Sequence, residues 1–414
     1  MRSLGQEQPA WLVELRENAK RRFESLGYPT KKNEGWRYTS VRPISSASWG
    51  EASTGKATYT SPIKSSVQLV FVNGFFQASQ SASGLDQSVT VLPFGEALKD
   101  ESNALAEVLR GTDALSDEAF VALNDSEFSD GAFVQVKSGV ELDLPIELVF
   151  IATEGARIHP RIAYSGGPNS RATLVERYVA TTELSYLTNT VSQVQLHAGA
   201  KLEHVRIQDE SLAAYHIGFT SVHQARDSSY EGHTFSLGGQ SGRSEIQTTF
   251  AEPGGTCSLN GLYAPTSGQN HDNYTVIDHA NPHCTSSEYY KAIVSDKATG
   301  SFQGRVLIQE GAVGSCSDQL NRNLLLGEAA VANTKPQLEI DNDDVKATHG
   351  STVGRLDPDA VFYLMARGLP KNEARAFLVR AFAGELIEKV SAEDLRADLV
   401  AMFDVRLEQV GSVV

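Results

Sequence analysis

Five stretches, "HAGAKLEHVRIQ" (197–208), "QARDSSYEGHTF" (224–235), "AEPGGTCSLNGLY" (251–263), "ANPHCTSSEYY" (280–290) and "QEGAVGSCSDQL" (309–320), lie in one register. Aligned, they place a turn residue at Gly199, Asp227, Gly255, His283 and Gly311, a step of 28 residues each time. The following positions, Ala200, Ser228, Thr256, Cys284 and Ala312, are all small. Small side chains at a fixed period are what stacked coils require, because a large one would hold neighbouring backbones apart. The expected core is a parallel β-helix with these five residues in one inward column. One more step reaches Glu339, with the bulkier Ile340 next, so "DNDDVKATHGSTVGRLDPDAVFYLMARG" (341–368) reads as the last coil and the handover to another domain.

The texture outside the repeat is different. Trp11, Leu12, Leu15, Ala19, Phe23 and Leu26 recur at helical spacing, and Gly27 with Pro29 supplies the stop. A Ser/Thr-rich stretch leads to "VQLVFVNGFF" (67–76), where strand patterning begins, and helical character interrupts it between about residues 97 and 124. From Gly131 to about Val353 short strands alternate with Gly, Asn, Asp and Pro. Beyond them Asp357 can cap a helix with Pro358 at its first position, and Gly368 and Pro370 can end it. A second helix is expected from about Asn372 to Lys389, and Ser391 with Asp394 has the spacing of a capping box for a third. The apolar stripes Phe377, Leu378, Phe382, Leu386 and Leu395, Leu399, Met402, Phe403 are expected to be the core of that module or in part a partner surface. The organisation expected is therefore a helical region over 1–65, a β-helix core over 66–355 and a helical domain over 356–414.

Composition limits the function. The 414 residues carry 36 Lys plus Arg against 51 Asp plus Glu, a net charge of −15, with the basic residues scattered. That balance argues against nucleic acid or an anionic membrane as the partner. Three cysteines without C-x-x-C spacing fit a reducing compartment. The first residues lack the apolar core of a signal peptide, and a soluble, cytoplasmic protein is expected. The chain carries no G-x-x-x-x-G-K-[ST] phosphate loop, G-x-S-x-G elbow or H-E-x-x-H helix, so no enzymatic activity is expected.

Three clusters have chemical potential. Cys257, Cys284 and Cys316 are 27 and 32 residues apart, and on a 28-residue coil the first two lie within about one position of stacking. Thiolates brought together could hold iron, although small buried core residues are the plainer use. "NHDNYTVIDHANPHC" (270–284) offers His271, Asp272, Asp278, His279 and His283, but strand alternation sends several of them to opposite faces. Glu339, Asp341, Asp343 and Asp344, with Lys346 and His349 behind them, have the composition of a hydrolytic site or of a solvated turn.

"NEGWRYTSV" (33–41), "FVALNDSEFSDGAFVQVKSGVELDLPIELVF" (120–150), "GQNHDNYTVIDHANPHCTSSEYYKAIVSDKATGSFQGRVLIQ" (268–309), "QLNRNLLL" (319–326), "PQLEIDNDDVKATHGSTVGRLDPDAVFYLMARGL" (336–369) and "EARAFLVRAFAGE" (373–385) carry a resemblance over about residues 33 to 385. Together they resemble the SufB/SufD family of iron-sulfur cluster assembly proteins, and its SufD branch in particular. The resemblance implies a right-handed parallel β-helix with flanking helical domains. It implies pairing with SufB through the β-helix, a SufC ATPase docked on the C-terminal helices, and a homodimer when the chain is isolated. Leu356, Asp357, Phe362, Tyr363 and Arg367 are the docking residues so implied. His349 matches a histidine close to the SufB contact and implicated in assembly, where iron or a cluster is held transiently rather than stably. Many members have a cysteine two positions earlier, where this chain has Ala347, so a thiolate at that position must come from the partner. A carbohydrate-active β-helix enzyme using Glu339 to Asp344 is the alternative from another class, and SufB itself is disfavoured by the shorter N-terminal part and by "THGSTVG" (348–354).

Overall fold

The computed structural model describes residues 8–81, 88–100, 102–111 and 118–409. Apart from Ala156–Ile158, a short extra strand of the 11-stranded sheet, the strands from Gly131 onward alternate between two sheets of 11 and 10 strands, so that each turn of chain contributes one strand to each. Every strand pair after that point is parallel, whereas Val67–Val72 with Phe75–Phe76 and Val89–Pro93 with Gly131–Val136 begin the sheets as antiparallel pairs. This is a parallel β-solenoid, with the lumen between the sheets filled by one continuous cluster running from Val67 and Leu148 to Val306 and Ala312.

The stacking column is real but its members shift. Lys201, Ser229, Thr256, Thr285, Cys316 and Lys346 are register partners in turn, so the coils advance by 28, 27, 29, 31 and 30 residues. The residues just before them, Ala200, Ser228, Gly255, Cys284 and Ser315, are buried. Thr256 and Ala312 therefore leave the expected column: Thr256 is exposed one position later, and Ala312 is buried in a turn that three extra residues separate from the strand. The positive-φ turn residue is likewise Gly254 rather than Gly255 and Gly314 rather than Gly311, in line with Asn169, Gly199, Asp227 and His283. Glu339 lies on the other sheet opposite Leu307, and Val345 follows Ser315. A constant period fails because turn loops can lengthen or shorten without disturbing a strand ladder.

The helices cover the outer faces. On the 11-stranded sheet, α1 (Ala10–Leu26), α2 (Arg42–Ser46), α3 (Phe94–Asp100), α4 (Ser102–Arg110) and α5 (Ala119–Glu127) bury Leu12, Ile44, Leu105 and Phe120 against residues such as Phe133, Ala163, Leu187 and Ile217. Gly27, at φ 64°, ends α1 as expected and returns its N–H to Phe23. Asp125 on α5 is buried between Arg161 of the sheet and Arg22 of α1, at 3.0 and 3.4 Å. The "NEGWRYTSV" loop crosses the same sheet as a strap. Its Trp36 ring lies 4.2 Å from the Arg243 guanidinium, Thr39 Oγ1 donates to Asp272 at 2.7 Å, and the Gly35 carbonyl accepts from Gln303.

On the ten-stranded sheet lie α7 (Lys371–Ile387) and α8 (Glu393–Gln409), with α6 (Pro358–Ala366) packed against α7. Val379, Ala383, Leu386, Leu395, Leu399 and Phe403 pack onto Val175, Val205, Ile207, Phe235, Leu262 and Ile293. Those stripes thus cover the solenoid as well as one another, while Phe377 stays exposed. The capping box at Ser391 does not form. Glu203 of the solenoid takes both the Ser391 N–H, at 2.7 Å, and its hydroxyl, and Asp394 accepts from Lys64 N–H instead. Among the described residues no helix is long and apolar enough to cross a membrane.

Candidate functional site

The solenoid ends on two strands, Val331–Ile340 and Lys346–Gly354, that have a neighbour on one side only. Their residues are half-buried or exposed, unlike those of every coil before them, and Val331, Ile340 and Val353 stand in solvent. Free N–H and C=O groups along a sheet edge are a template for another strand, so this end is built for pairing or must be protected from it. Ser351, Thr352 and Val353 on this edge are all exposed.

His349 lies on the last strand opposite Gln319. Ser317, Gln319, Asn321 and Asn323 alternate as the buried face of the strand beneath, and Ala347, on the same face as His349, packs against the lumen cluster. The imidazole is thus on the lumen face but exposed, because no further coil roofs it. Under it Gln319 Nε2 donates to Glu288, whose burial pushes its carboxyl up to about 7. Asn323 continues the polar lining, donating to Asn321 and to the Thr352 carbonyl at 2.6 and 3.0 Å. Sequence reading missed Glu288 and Gln319 as neighbours of His349; only the true coil lengths align them.

The acids of the last turn do not converge. Glu339 is held by both Arg305 Nε and Nη2 at 2.7 Å, while Asp341, Asp343 and Asp344 are exposed in the turn, with the Asp344 carbonyl accepting from Gly314. Nor do the cysteines stack. Cys257 aligns with Tyr230 and Ser286, and Cys284 with Gly255 and Ser315. Burial raises both thiols, so neither is a ready thiolate, and Cys316 is half-buried on the outward face. His283 is an exposed turn residue at φ 58°. His271 and His279 face the lumen, bonded to the Gly238 carbonyl and Ser286 and pushed down to about 4 by burial, whereas Asp272 faces the strap. Among the described residues no group of three or more His, Cys, Asp or Glu is arranged to hold a metal ion.

Beside the open end, Leu356 is half-buried in an apolar groove with Leu324, Val353, Ala360, Leu378 and Phe382. Asp357 spends its carboxylate on the Asp359 N–H at 2.9 Å, the expected cap. Phe362 and Tyr363 are 70% and 59% exposed, two adjacent aromatic side chains standing in solvent on α6. Arg367 donates to the Tyr363 hydroxyl at 3.1 Å and lies 5.2 Å from its ring, which holds both side chains outward.

Comparison with known proteins covers nearly the whole chain. Residues 149–382 match the SUF system FeS cluster assembly SufBD core domain, and residues 2–148 match the SufBD protein N-terminal region. An iron-sulfur cluster assembly SufBD family protein of Synechocystis is 31% identical, over 94% of this chain and 89% of its own. The iron-sulfur cluster assembly protein SufD of Escherichia coli is 30% identical over 92% and 90%, and that of Bacillus subtilis 24% over 96% and 94%. With a solenoid under both matched regions and family likeness from end to end, the chain belongs to the SufBD family of the SUF iron-sulfur cluster assembly system.

Proposed function

We propose that this chain is a non-catalytic scaffold subunit of cluster assembly in the cytoplasm, pairing with SufB at the open end of the solenoid and docking the SufC ATPase on α6. The observation that carries the reading is the last coil: two free-edged strands and an exposed lumen-side histidine stand where a second β-solenoid can extend both sheets. An occupant of the same fold satisfies both edges at once. The aromatic pair Phe362 and Tyr363, with Met365 and Phe377 exposed nearby, offers apolar anchors for a separate partner. In this arrangement ATP chemistry stays on SufC, and iron or the nascent cluster is cargo held between His349 and thiolates of SufB.

The test is reconstitution. His349→Ala should leave the fold and co-purification with SufB and SufC intact while lowering the yield of assembled cluster. Full-rate assembly by that variant would remove the histidine from the mechanism, and purified chain that captured neither partner would remove the scaffold reading. The carbohydrate-active alternative has no support in the geometry, since Glu339 is committed to Arg305 and the remaining acids point into solvent.

A further inference from the structure

Glu288, Gln319 and His349 occupy one register position on three successive strands of the ten-stranded sheet, all on the lumen face. Glu288 and Gln319 are 2% and 1% exposed, and His349 stands at the mouth. The Gln319 amide turns its nitrogen down to Glu288 and its oxygen the other way, the orientation that an ionised carboxylate, which only accepts hydrogen bonds, requires. That oxygen, Oε1, is buried and has no hydrogen-bond partner. Across the lumen is Gly304, where a Cβ would lie 2.2 Å from Gln319 Nε2; the missing side chain makes room for the amide. A buried carbonyl oxygen left unpaired is costly, and the next side chain along the column is the His349 imidazole, one strand spacing away.

We propose that Gln319, braced by Glu288, is a positioning residue for His349: its Oε1 accepts one ring N–H of the imidazole, fixing ring orientation and tautomer. The lone pair of the other ring nitrogen is then directed out of the mouth, free for a metal ion. Histidines that bind metals are commonly held in this way through their second nitrogen, which also makes the imidazole a better donor. The proposal rests on the reading of His349 as the group that faces iron. It adds the part that sets which nitrogen is offered.

The test is nuclear magnetic resonance on the isolated full chain, labelled with 15N-histidine, at pH 8 where Glu288 is ionised. The His349 ring N–H, assigned by its loss in His349→Ala, should exchange slowly with water. In Gln319→Leu its exchange should quicken by about tenfold or more, the loss of one hydrogen bond. Glu288→Gln keeps the volume but can donate, letting the Gln319 amide invert and present nitrogen to the ring, so it should quicken exchange too. Circular dichroism checks that each variant keeps its strands; if Gln319→Leu does not fold, Glu288→Gln decides. Exchange as fast as free imidazole in the unaltered chain, or no change in a folded variant, overturns the proposal. Cluster assembly is scored separately. A His349→Ala chain that assembles clusters at full rate sinks the functional reading while leaving the ring N–H result to stand or fall alone.

Discussion

The side-chain oxygen of Asn169 lies over Gly199 in the next coil, so close that a Cβ built on that glycine would sit 2.3 Å from it. Asp227 stands in the same way over Gly254, at 2.2 Å, and the His283 ring over Gly314, at 2.5 Å. All six residues have positive φ, so this column of turns pairs a polar side chain with a bare glycine coil by coil. Gly199→Ala meets both the left-handed backbone penalty and the clash, and should cost about 2–3 kcal/mol. Gly27→Ala, at φ 64° with nothing within 4 Å, should cost only about 1 kcal/mol. Urea denaturation of the two variants compares them; equal losses would mean that the stacking contributes nothing.

The strap over the 11-stranded sheet depends on Arg243. Its guanidinium reaches Asp272 and Glu245 at 2.7 Å each under the Trp36 ring, all but fully buried. Arg243→Met would leave two buried carboxylates without their cation, a loss of about 3–5 kcal/mol. Thr39→Val removes one bond to the charged Asp272 and should cost about 1.5–3 kcal/mol. The ranking, measured by chemical denaturation, should hold with Arg243→Met the worse. Reversed, it would show that the strap rather than the ion cluster carries the stability.

Glu288 makes stability depend on pH in an identifiable window. Burial raises its carboxyl from the usual 4.5 to about 7, so the folded chain binds this proton more tightly than the unfolded one. Stability from this group is therefore highest below pH 4.5, falls as pH rises toward 7, and is level above. The full change is about 3 kcal/mol. Glu288→Gln abolishes it, so the difference in unfolding free energy between the variant and the unaltered chain should swing in the variant's favour between pH 4.5 and 7. A pH-independent difference would place the carboxyl in contact with water.

Much of this architecture could be read from local signals, and the failures have one cause. Gly199, Asp227 and His283 announce turns because few residues other than Gly, Asn, Asp and His accept positive φ, and the stop at Gly27 and the cap at Asp357 are equally local. The small column blurred at Thr256 and Ala312 because register is the sum of preceding loop lengths, and no single residue carries that sum. The same sum hid the alignment of Glu288 and Gln319 beneath His349. Ser391 shows the other limit: its spacing to Asp394 suits a capping box, but Glu203, 188 residues away, offers a better acceptor.

The C-terminal helices separate a docking role from a structural one within a single module. Val379 is fully buried between α7 and the outer face of the ten-stranded sheet, whereas Phe362 on α6 is 70% exposed and touches no core cluster. Val379→Asp puts a charge into that interface without a partner and should destabilise the chain by several kcal/mol, on the order of 3–5. Phe362→Asp should change unfolding free energy by less than about 0.5 kcal/mol, the usual range for exposed sites. If α6 is the SufC dock, Phe362→Asp should also weaken binding by roughly 2 kcal/mol or more, about thirtyfold in Kd, as an aromatic anchor does. Removing the whole module is a poorer experiment, because it bares Val205, Ile207, Phe235 and Leu262 and invites aggregation. Unchanged SufC affinity in the stable Phe362→Asp protein would move the dock off α6.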